Sequence, residues 1–350
     1  MKNIAIILIS VLSISCKFQD KQLDNNKVYG LNEQKEASQI AEYVTCVFED
    51  SNANLWFGTL SRGIAKYDGR ELRYYTKNDG LPSDRVTSVI EDQDGILWFN
   101  TGNGLSKFDG HKFKNYLVKD SDFGSNVISS LLIDSNGIFW VGTWNGVYQF
   151  DTEEFLPILI PYPDVDTKIN EDTKNWIIGI NEDHKGNIWF RRDGYGLCKY
   201  DGNSFSYVLK KDGLHSNNVT EIEFDKDGSI WIGTRVAERD NPDPNKRAGK
   251  GGLNRLMGGE IKSFPDIDGF NNDDVYEIFT DTYDHIWITT TRNGVYRYDR
   301  KEFRKYYFPI SIMSIMNDKK GNLWFGGAGG LYRIDKNQQI INVKTNGPWE

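Results

Sequence analysis

The sequence predicts an all-β protein, a seven-bladed β-propeller whose blades are four-stranded antiparallel sheets. Three observations support this fold. One tryptophan recurs in seven copies, at spacings of 42, 42, 49, 42, 56 and 37 residues. An aspartate stands six residues before each of these tryptophans, and a glycine with a following aliphatic residue comes after each. A repeat of roughly 40–45 residues accommodates four short strands and their turns, as in a propeller blade.

Two columns of residues define the repeat. The tryptophans are Trp56, Trp98, Trp140, Trp189, Trp231, Trp287 and Trp324. The aspartates are Asp50, Asp92, Asp134, Asp183, Asp225, Asp281 and Asp318. A single blade buries neither of its faces, so we expect each repeated tryptophan to fill the gap against the neighbouring blade.

Each repeat is predicted to contain four strands, as the second copy illustrates. Its strands cover residues 86–91, 96–101, 104–109 and 112–117, which are rich in β-branched and aromatic residues. The aspartate after the first strand is expected to accept hydrogen bonds from the amides of its own turn. A calcium loop is the alternative, but one aspartate per hairpin supplies too few oxygen ligands, and the sequence predicts no metal site.

The N-terminus predicts export. Residues 1–15 carry Lys2 and then an apolar stretch that is typical of a signal peptide. The ending at Ser15 and Cys16 resembles a bacterial lipobox, although Ser13 stands where a leucine is usual, and Cys16 is therefore the predicted lipidation site. An ordinary signal peptide with an incidental cysteine is the alternative. We interpret residues 16–38 as a tether, residues 39–346 as one propeller domain and residues 347–350 as a tail.

Charge and cysteine content restrict the partners. The formal net charge is −8, and this acidic balance argues against a nucleic-acid partner, which requires a basic face. Beyond the lipidation site the chain has only Cys46 and Cys198. They fall in predicted strands far apart in the sequence, which favours two buried free thiols over a disulfide.

Several phrases of the repeat resemble the two-component regulator propeller repeat. Residues 47–69 (VFEDSNANLWFGTLSRGIAKYDG) and 315–335 (IMNDKKGNLWFGGAGGLYRID) show it most clearly, and the linking phrase NDGLPSDRV at 78–86 is echoed by KDGLHSNNV at 211–219. The resemblance covers residues 44–344 and implies a periplasmic ligand-sensing scaffold, often part of hybrid sensor kinases that respond to glycans. Such sensors typically join two propellers to a kinase. Because this chain has one ring before Glu350, we expect no kinase domain in it.

The resemblance implies where the loops lie, and the two large insertions favour one rim as the binding face. It places the loops between second and third strands, and those between blades, on one face, and both large insertions (residues 161–175 and 236–252) belong to these loops. Loops on rigid scaffolds carry function, although a tolerated surface insertion is the alternative. Aromatic rings and guanidinium groups suit a sugar or an anionic group such as a uronate, whereas scattered solvated side chains are the other interpretation. The candidate ligand-binding residues are Arg191, Arg192, Tyr195, Trp144, Arg62, Asn103, Arg235 and Arg292.

The first strands are expected to line a central channel. One aligned column in them reads Cys46, Ser88, Ser130, Gly179, Glu221, Glu277 and Ser314. Two adjacent blades thus bring carboxylates to the channel, and if these converge, one would have a raised pKa and act as an acid or base. With His215 on the preceding loop, Glu221 and Glu277 are the catalytic candidates of an enzymatic alternative, a propeller lyase or hydrolase. Four histidines in the chain argue against extensive acid–base chemistry and against a His-rich metal site.

The function that the sequence favours is recognition of an extracellular small molecule or glycan, without a cofactor, by a lipoprotein of the bacterial cell envelope. We expect the protein to face the periplasm or the cell surface and to be held at the membrane by its lipid anchor only. Neither Lys17 nor Phe18 is an acidic inner-membrane retention signal, which favours the outer membrane. The alternatives are the enzyme described above and an interaction platform for an envelope protein partner.

Overall fold

The predicted fold class is confirmed. A computed structural model of the protein describes residues 38–118, 126–165, 173–235, 251–264, 273–291, 294–335 and 338–349. Within these residues, 28 strands form seven four-stranded antiparallel sheets, and the strands of each sheet follow one another in sequence order. The described part of the chain contains no helix with the length and apolar character that crossing a bilayer requires.

The strands are numbered β1 to β28 in chain order, with four to each blade. They are Val44–Glu49, Leu55–Thr59, Ile64–Tyr67 and Leu72–Tyr75 in blade 1; Val86–Glu91, Leu97–Thr101, Gly104–Phe108 and Phe113–Tyr116 in blade 2; Ile128–Ile133, Phe139–Thr143, Gly146–Phe150 and Phe155–Ile158 in blade 3; Ile177–Glu182, Ile188–Arg192, Gly196–Tyr200 and Phe205–Val208 in blade 4; Val219–Phe224, Ile230–Thr234, Gly252–Met257 and Glu260–Ser263 in blade 5; Val275–Thr280, Ile286–Thr290, Val295–Tyr298 and Phe303–Tyr306 in blade 6; and Ile312–Asn317, Leu323–Gly327, Gly330–Ile334 and Ile340–Val343 in blade 7. Two short 3₁₀ turns, Lys77–Asp79 and Lys210–Asp212, precede blades 2 and 5.

The seven sheets close into a ring around their first strands. Each of these strands contacts the first strand of the next blade, and β25 of the last blade contacts β1 of the first. The first strand therefore forms the inner edge of each blade and the fourth strand the outer edge. The connections between second and third strands and between successive blades emerge on one face, which we call the upper rim.

The repeated tryptophans fill the space between blades, as predicted. All seven indoles are buried. Trp56 of blade 1 packs with Val86 and Phe99 of blade 2, and Trp324 of blade 7 packs with Phe57 of blade 1. Because the same contact joins the last blade to the first, the cores between blades are continuous around the ring.

The fixed distance from aspartate to tryptophan reflects a hydrogen bond. In every blade the indole Nε1 donates to Oδ2 of the aspartate six residues earlier, over 2.7–2.9 Å. The other carboxylate oxygen accepts turn amides: Oδ1 of Asp134 accepts from the amides of Asn136 and Ile138. One side chain thus closes the hairpin and satisfies the only polar atom of the buried indole.

Segments from both ends of the propeller cross the junction between blades 7 and 1. Ile40 is fully buried there, and Gln39 forms a backbone bridge with Lys344. The segment that we interpreted as a tail contains Trp349, whose indole stacks on the ring of Tyr67 with centroids 4.0 Å apart. The fourth strand of blade 7 comes from the C-terminal sequence, and these short segments add contacts across the junction.

Both cysteines of the described residues, Cys46 and Cys198, are free thiols, as predicted. Enclosure by protein raises the pKa of Cys46 to about 12 and that of Cys198 to about 11. A thiol that stays protonated is a poor nucleophile, so neither residue is suited to covalent catalysis.

Candidate functional site

Two of the predicted rim arginines belong to a strand rather than to a loop. The strand β14 extends to Arg192, so Arg191 and Arg192 occupy the positions that the Gly-Thr pair takes in blades 1, 3 and 5. Both side chains are buried, with 7% and 3% of their surface exposed. Neither guanidinium projects into solvent from the upper rim, which differs from the expectation based on the sequence.

Arg192 lies between two tyrosine rings. Its guanidinium carbon is 4.7 Å from the centroid of Tyr162 and 4.7 Å from that of Tyr195, and Nη1 donates to the carbonyl of Pro161 over 2.9 Å. Tyr195 is buried, whereas Tyr162 keeps 52% of its surface exposed. Arg192 and Tyr195 therefore hold the segment from blade 3 against blade 4, and the exposed ring is that of Tyr162.

The exposed aromatic surface of the upper rim is centred on two tryptophans. Trp144, in the loop between β10 and β11, stacks on Trp176, just before β13, with centroids 4.8 Å apart and an interplanar angle of 22°. The guanidinium of Arg235 lies 6.0 Å from the Trp176 ring, and it forms an ion pair with Asp193. Trp144 exposes 43% of its surface. Blades 3, 4 and 5 thus contribute to one patch of stacked rings beside a closed ion pair.

The remaining predicted residues lie elsewhere. Nη1 of Arg62 donates to the carbonyls of Gln39 and Ile40 at the junction of blades 7 and 1. The side chain of Asn103 accepts a hydrogen bond from Asn126 over 3.4 Å, between blades 2 and 3. Arg292 and Cys16 are outside the described residues. The structure therefore brings together Trp144 and Arg235, and places Arg62 and Asn103 on other blades.

The central channel contains an ion pair between blades 4 and 5. Nη1 of Arg191 lies 2.5 Å from Oε2 of Glu221, and the same nitrogen donates to the carbonyl of Thr220. Gly179 pairs with Arg191 in the sheet, and a Cβ on Gly179 would lie 1.8 Å from Nη2. The guanidinium thus occupies space that other blades give to a side chain of the first strand.

The carboxylates of Glu221 and Glu277, on neighbouring blades, are close enough for their charges to interact. Burial is the main cause that raises the pKa of Glu277 well above the usual range, and the charges of Glu221 and Glu223 raise it further. Burial also raises the pKa of Glu221, against the opposing effect of Arg191. For Glu223, burial raises the pKa from 4.5 to about 7, while its hydrogen bonds with Thr280 lower it. The charge of Arg191 therefore acts on Glu221 and Glu277, whereas Glu223 accepts a hydrogen bond from the Thr280 amide.

His215 is placed away from the channel. Its amide donates to Oδ1 of Asn254, over 3.3 Å, and Asn254 is in the third strand of blade 5. Neighbouring strands are about 4.8 Å apart, so the His215 backbone lies roughly 10 Å outside the first strand, which carries Glu221. The preceding loop thus carries His215 outward across the blade. A His215–Glu221 pair would require the imidazole to span that distance.

Sequence reasoning missed three residues of this region: Trp176, Asp193 and Tyr276. Tyr276 precedes Glu277 in β21 and exposes 43% of its surface. Burial and the nearby charge of Glu277 raise the pKa of Tyr276, and Arg235 lowers it. One signal was available. Ten tryptophans occur in the chain and seven belong to the repeat, so the other three (Trp144, Trp176 and Trp349) required a separate explanation. Two of them form the rim stack.

Comparison with known proteins supports the repeat assignment. The family model described as "Two component regulator propeller" matches residues 80–103, 122–145, 213–235 and 307–329. Each matched segment ends at or near the loop between the second and third strands of a blade. The predicted resemblance is thereby confirmed. No curated protein matches the sequence.

Solved structures share the fold at low sequence identity. The extracellular domain of BT4673 from B. thetaiotaomicron, named as a hybrid two component system, superposes with a TM-score of 0.66 at 20% identity, covering 87% of this chain and 41% of that one. The extracellular domain of BT3049 from the same organism gives 0.63 at 20% identity, covering 87% of this chain and 40% of that one. This chain therefore spans about two fifths of those sensor domains.

A lyase also shares the fold. Virginiamycin B lyase from Staphylococcus aureus superposes with a TM-score of 0.62 at 14% identity, covering 84% of this chain and 95% of that one. Because sensor domains and a lyase superpose equally well, the shared fold does not distinguish binding from catalysis. The side chains of the site, and not the fold, therefore distinguish the two functions.

Proposed function

The chain is a seven-bladed propeller that carries two component regulator propeller repeats, and from this premise we propose that it is a ligand-recognition protein of the cell envelope. The proposed ligand is a glycan, bound on the upper rim over blades 3 to 5. The proposed contact surface is the Trp144–Trp176 stack with the neighbouring Tyr162 ring. No catalytic step is part of this proposal.

The observation that carries the proposal is the exposed indole of Trp144 above a parallel partner. Stacked aromatic rings present a flat apolar face, which matches the C–H face of a sugar ring. Aromatic side chains that are already ordered by neighbouring contacts lose little conformational entropy when a ligand binds. Asn175 orders the loop of Trp144 and the ring of Tyr162. Its Nδ2 donates to Asn145 over 3.0 Å, and its Oδ1 accepts from the Tyr162 hydroxyl.

Binding should depend on the indole and not on the buried arginines. The test is a glycan array with the mature protein, followed by titration calorimetry of the best ligand against the Trp144→Ala variant. We expect affinity to fall by about tenfold or more, since a stacked aromatic contact contributes roughly 1–3 kcal/mol. Leu156→Ala is the matched control, because Leu156 is an exposed apolar residue of the outer edge strand of blade 3. Equal losses in the two variants, or none in Trp144→Ala, would remove the rim from the proposal.

We also propose that the protein is exported and acylated at Cys16. The sequence of residues 1–16 supports this, and the solved neighbours BT4673 and BT3049 are extracellular domains. Mass spectrometry of the membrane fraction should find the N-terminal peptide starting at a diacylated Cys16, and Cys16→Ser should release the protein from membranes. Cleavage at another position, or membrane association unchanged by Cys16→Ser, would contradict acylation.

A further inference from the structure

The outer surface of blade 3 differs in charge from that of every other blade. Residues 126–165, all of which the structure describes, contain no lysine, arginine or histidine, whereas each of the other six blades has at least two lysines or arginines. Carboxylates remain on this blade, and Glu153, Glu154 and Asp164 are exposed. Charge therefore distinguishes blade 3, and its sign is negative.

The difference is clearest at one cross-strand pair of the third and fourth strands. Blades 1, 2, 5 and 6 place two cations opposite each other there, as Lys66–Arg73, Lys107–Lys114, Arg255–Lys262 and Arg297–Arg304. The first cation of each pair lies 5.0–6.0 Å from the ring centroid of the repeated tryptophan. Blades 4 and 7 keep that cation as Lys199 and Arg333, but blade 3 has Gln149 opposite Leu156. Charged side chains on edge strands discourage association, and blade 3 is without this protection.

An apolar surface follows the outer junction of blades 3 and 4. Ile158 and Ile160 of blade 3 and Phe205 and Tyr207 of blade 4 are partly buried against one hydrophobic cluster. Leu156 projects on the same side of β12 as Ile158, because side chains two residues apart share a face of a strand, and 48% of its surface is exposed. We call these five residues the apolar margin. An exposed apolar surface beside polar residues is typical of a contact site for another protein.

The backbone of this edge is poorly suited to pairing with an added strand. The Asp151 amide donates to the Glu154 carbonyl over 3.3 Å, and bonded and non-bonded pairs alternate along an antiparallel ladder. Pro157 pairs with Tyr148 three positions further on, so its backbone faces the open edge, where a proline has no N–H to donate. A partner therefore contacts the side chains of the apolar margin and keeps its own backbone hydrogen-bonded, as a helix does.

The charges at the two ends of the apolar margin define the partner further. At the lower end, Glu153 and Glu154 adjoin β12 directly. The exposed Lys185 of blade 4 lies in the hairpin between the first two strands, roughly 10 Å farther from the outer edge. At the upper end, Nζ of Lys211 donates to the carbonyl of Asp164 over 3.5 Å, which sets one cation beside one acidic residue. The lower end is thus acidic and the upper end is close to neutral, so complementarity requires cations at one end of the partner.

We propose that the apolar margin is the docking surface of a protein partner whose own contact surface is a helix with an apolar stripe and lysines or arginines at one end. The stripe covers Leu156 and its neighbours, and the cations lie over Glu153 and Glu154. The margin shares no residue with the proposed glycan contact, so the inference does not depend on the proposed function.

Two other occupants match this surface less well. A second copy of this chain offers cations on the outer strands of blades 1, 2, 5 and 6, where lysine or arginine takes the place of Leu156, and its own blade 3 repeats the carboxylates. It therefore supplies cations or apolar contacts at one surface, but not both. A bilayer with anionic headgroups is repelled by Glu153 and Glu154. A different protein is the occupant that supplies both.

Photochemical cross-linking tests whether this surface is occupied. The photoreactive residue benzoylphenylalanine is placed at position 156 of the full chain in the cells that make it. Position 262, the equivalent position in blade 5, is the matched control. After irradiation of intact cells, we expect a protein adduct from position 156 and not from position 262. Mass spectrometry should show that the cross-linked peptide of the partner contains apolar residues with lysine or arginine beside them.

Binding of the purified partner then tests the chemistry of the contact. We expect Leu156→Arg, which gives blade 3 the cation of other blades, to weaken binding about tenfold or more. Ser206→Arg is the matched control, because Ser206 is the exposed residue at the same position of blade 4, and this variant should bind like the wild type. The Glu153→Gln, Glu154→Gln double variant should bind more weakly and should depend less on salt concentration.

Several results would overturn the inference. They are an adduct of two copies of this chain, an adduct with phospholipid, equal adducts at positions 156 and 262, and no adduct at position 156. A cross-linked partner peptide without basic residues, or a purified partner that binds the Leu156→Arg and wild-type proteins equally, would also overturn it. Trp144→Ala should leave partner binding unchanged, so the docking surface and the glycan contact are tested separately.

Discussion

The guanidinium of Arg191 occupies the space that a side chain on Gly179 would fill. The two residues are paired across β13 and β14, and a Cβ at residue 179 would lie 1.8 Å from Nη2 of Arg191. In blades 3 and 7 the same pair is reversed: Ser130 faces Gly142, and Ser314 faces Gly326. Blade 4 has exchanged the small and the large residue, and the exchange directs a guanidinium across to Glu221 of the next blade.

This exchange predicts a coupling between the two positions. Gly179→Ser should destabilise the protein by about 1–3 kcal/mol, because the new side chain overlaps the guanidinium. Arg191→Gly should also destabilise it, since Glu221 then lies in the channel without its countercharge. The double variant restores the pair found in blades 3 and 7, so the overlap disappears. Urea denaturation of the wild type, the two single variants and the double variant measures this coupling. The double variant should lose less unfolding free energy than the two single variants together, by about 1 kcal/mol or more. Simple additivity would show that the space is not shared.

The carboxylates between blades 5 and 6 predict a dependence of stability on pH. The folded-state pKa values of Glu277 and Glu223 are raised, so the folded protein holds more protons than the unfolded chain above pH 4.5. The contribution of these two glutamates to the free energy of unfolding is therefore complete below about pH 4.5, and it is lost as the pH rises through about 7 and above. The apparent Tm should fall over that interval. Glu277→Gln should reduce the fall, because it removes one ionising group and its repulsion of Glu221.

The control for the pH dependence is Glu71→Gln, an exposed glutamate of blade 1. It should leave the slope of Tm against pH unchanged. A Glu277→Gln protein that loses as much stability between about pH 4.5 and pH 8 as the wild type would show that Glu277 is not ionising in that interval.

The aspartate beneath each indole should be necessary in every blade. Asp134→Ala removes the acceptor of the buried Trp140 indole and of two turn amides. Leaving a buried donor unsatisfied costs about 1–3 kcal/mol, so the free energy of unfolding should fall by at least that amount. Asp151→Ala is the matched control: this exposed hairpin aspartate bonds only turn amides, those of Glu153 and Glu154. Equal losses in the two variants would indicate that the indole hydrogen bond contributes nothing.

A strained arginine connects blades 5 and 6 on the face opposite the upper rim. Arg300 has a φ of 75°, in the hairpin position that glycine occupies at Gly69, Gly110 and Gly202. Its side chain forms ion pairs with Asp225 of blade 5 and, over 3.1 Å, with Asp284. The cost of the left-handed backbone is therefore offset by a contact between blades. This contact spans the same pair of blades whose inner strands carry the repelling carboxylates.

Two substitutions of Arg300 separate these effects. Arg300→Ala keeps a Cβ in the left-handed conformation and loses the ion pairs, whereas Arg300→Gly loses the ion pairs and relieves the strain. Both should be less stable than the wild type, and the glycine variant should be about 1 kcal/mol more stable than the alanine variant. Thermal unfolding measures the order. A glycine variant more stable than the wild type would show that the ion pairs do not compensate for the strain.

The candidate site shows where reading the sequence succeeds and where it stops. Trp144 and Arg235 were predicted on the upper rim, and they are both at one patch there. Arg191 and Arg192 were predicted beside them, but the strand β14 continues through both residues and turns their side chains inward. The repeat already indicated that these two arginines belong to a strand, since they replace a Gly-Thr pair that ends a strand in other blades. The repeat pattern did not show that Arg191 pairs with Gly179, twelve positions earlier, across the two strands.

The sequence by itself determined the ring of seven sheets, because each blade repeats the same local interactions: a hairpin closed by one aspartate and an indole fixed to that aspartate six residues away. Such interactions depend on spacing along the chain, and spacing is visible in a sequence. Only the tertiary structure decided which charges are neutralised. Arg191 and Glu221 come from different blades, and the strength of their ion pair depends on how deeply it is buried. The position of His215 outside the channel and the enclosure of Glu277 were settled in the same way, by contacts between blades that no local pattern encodes.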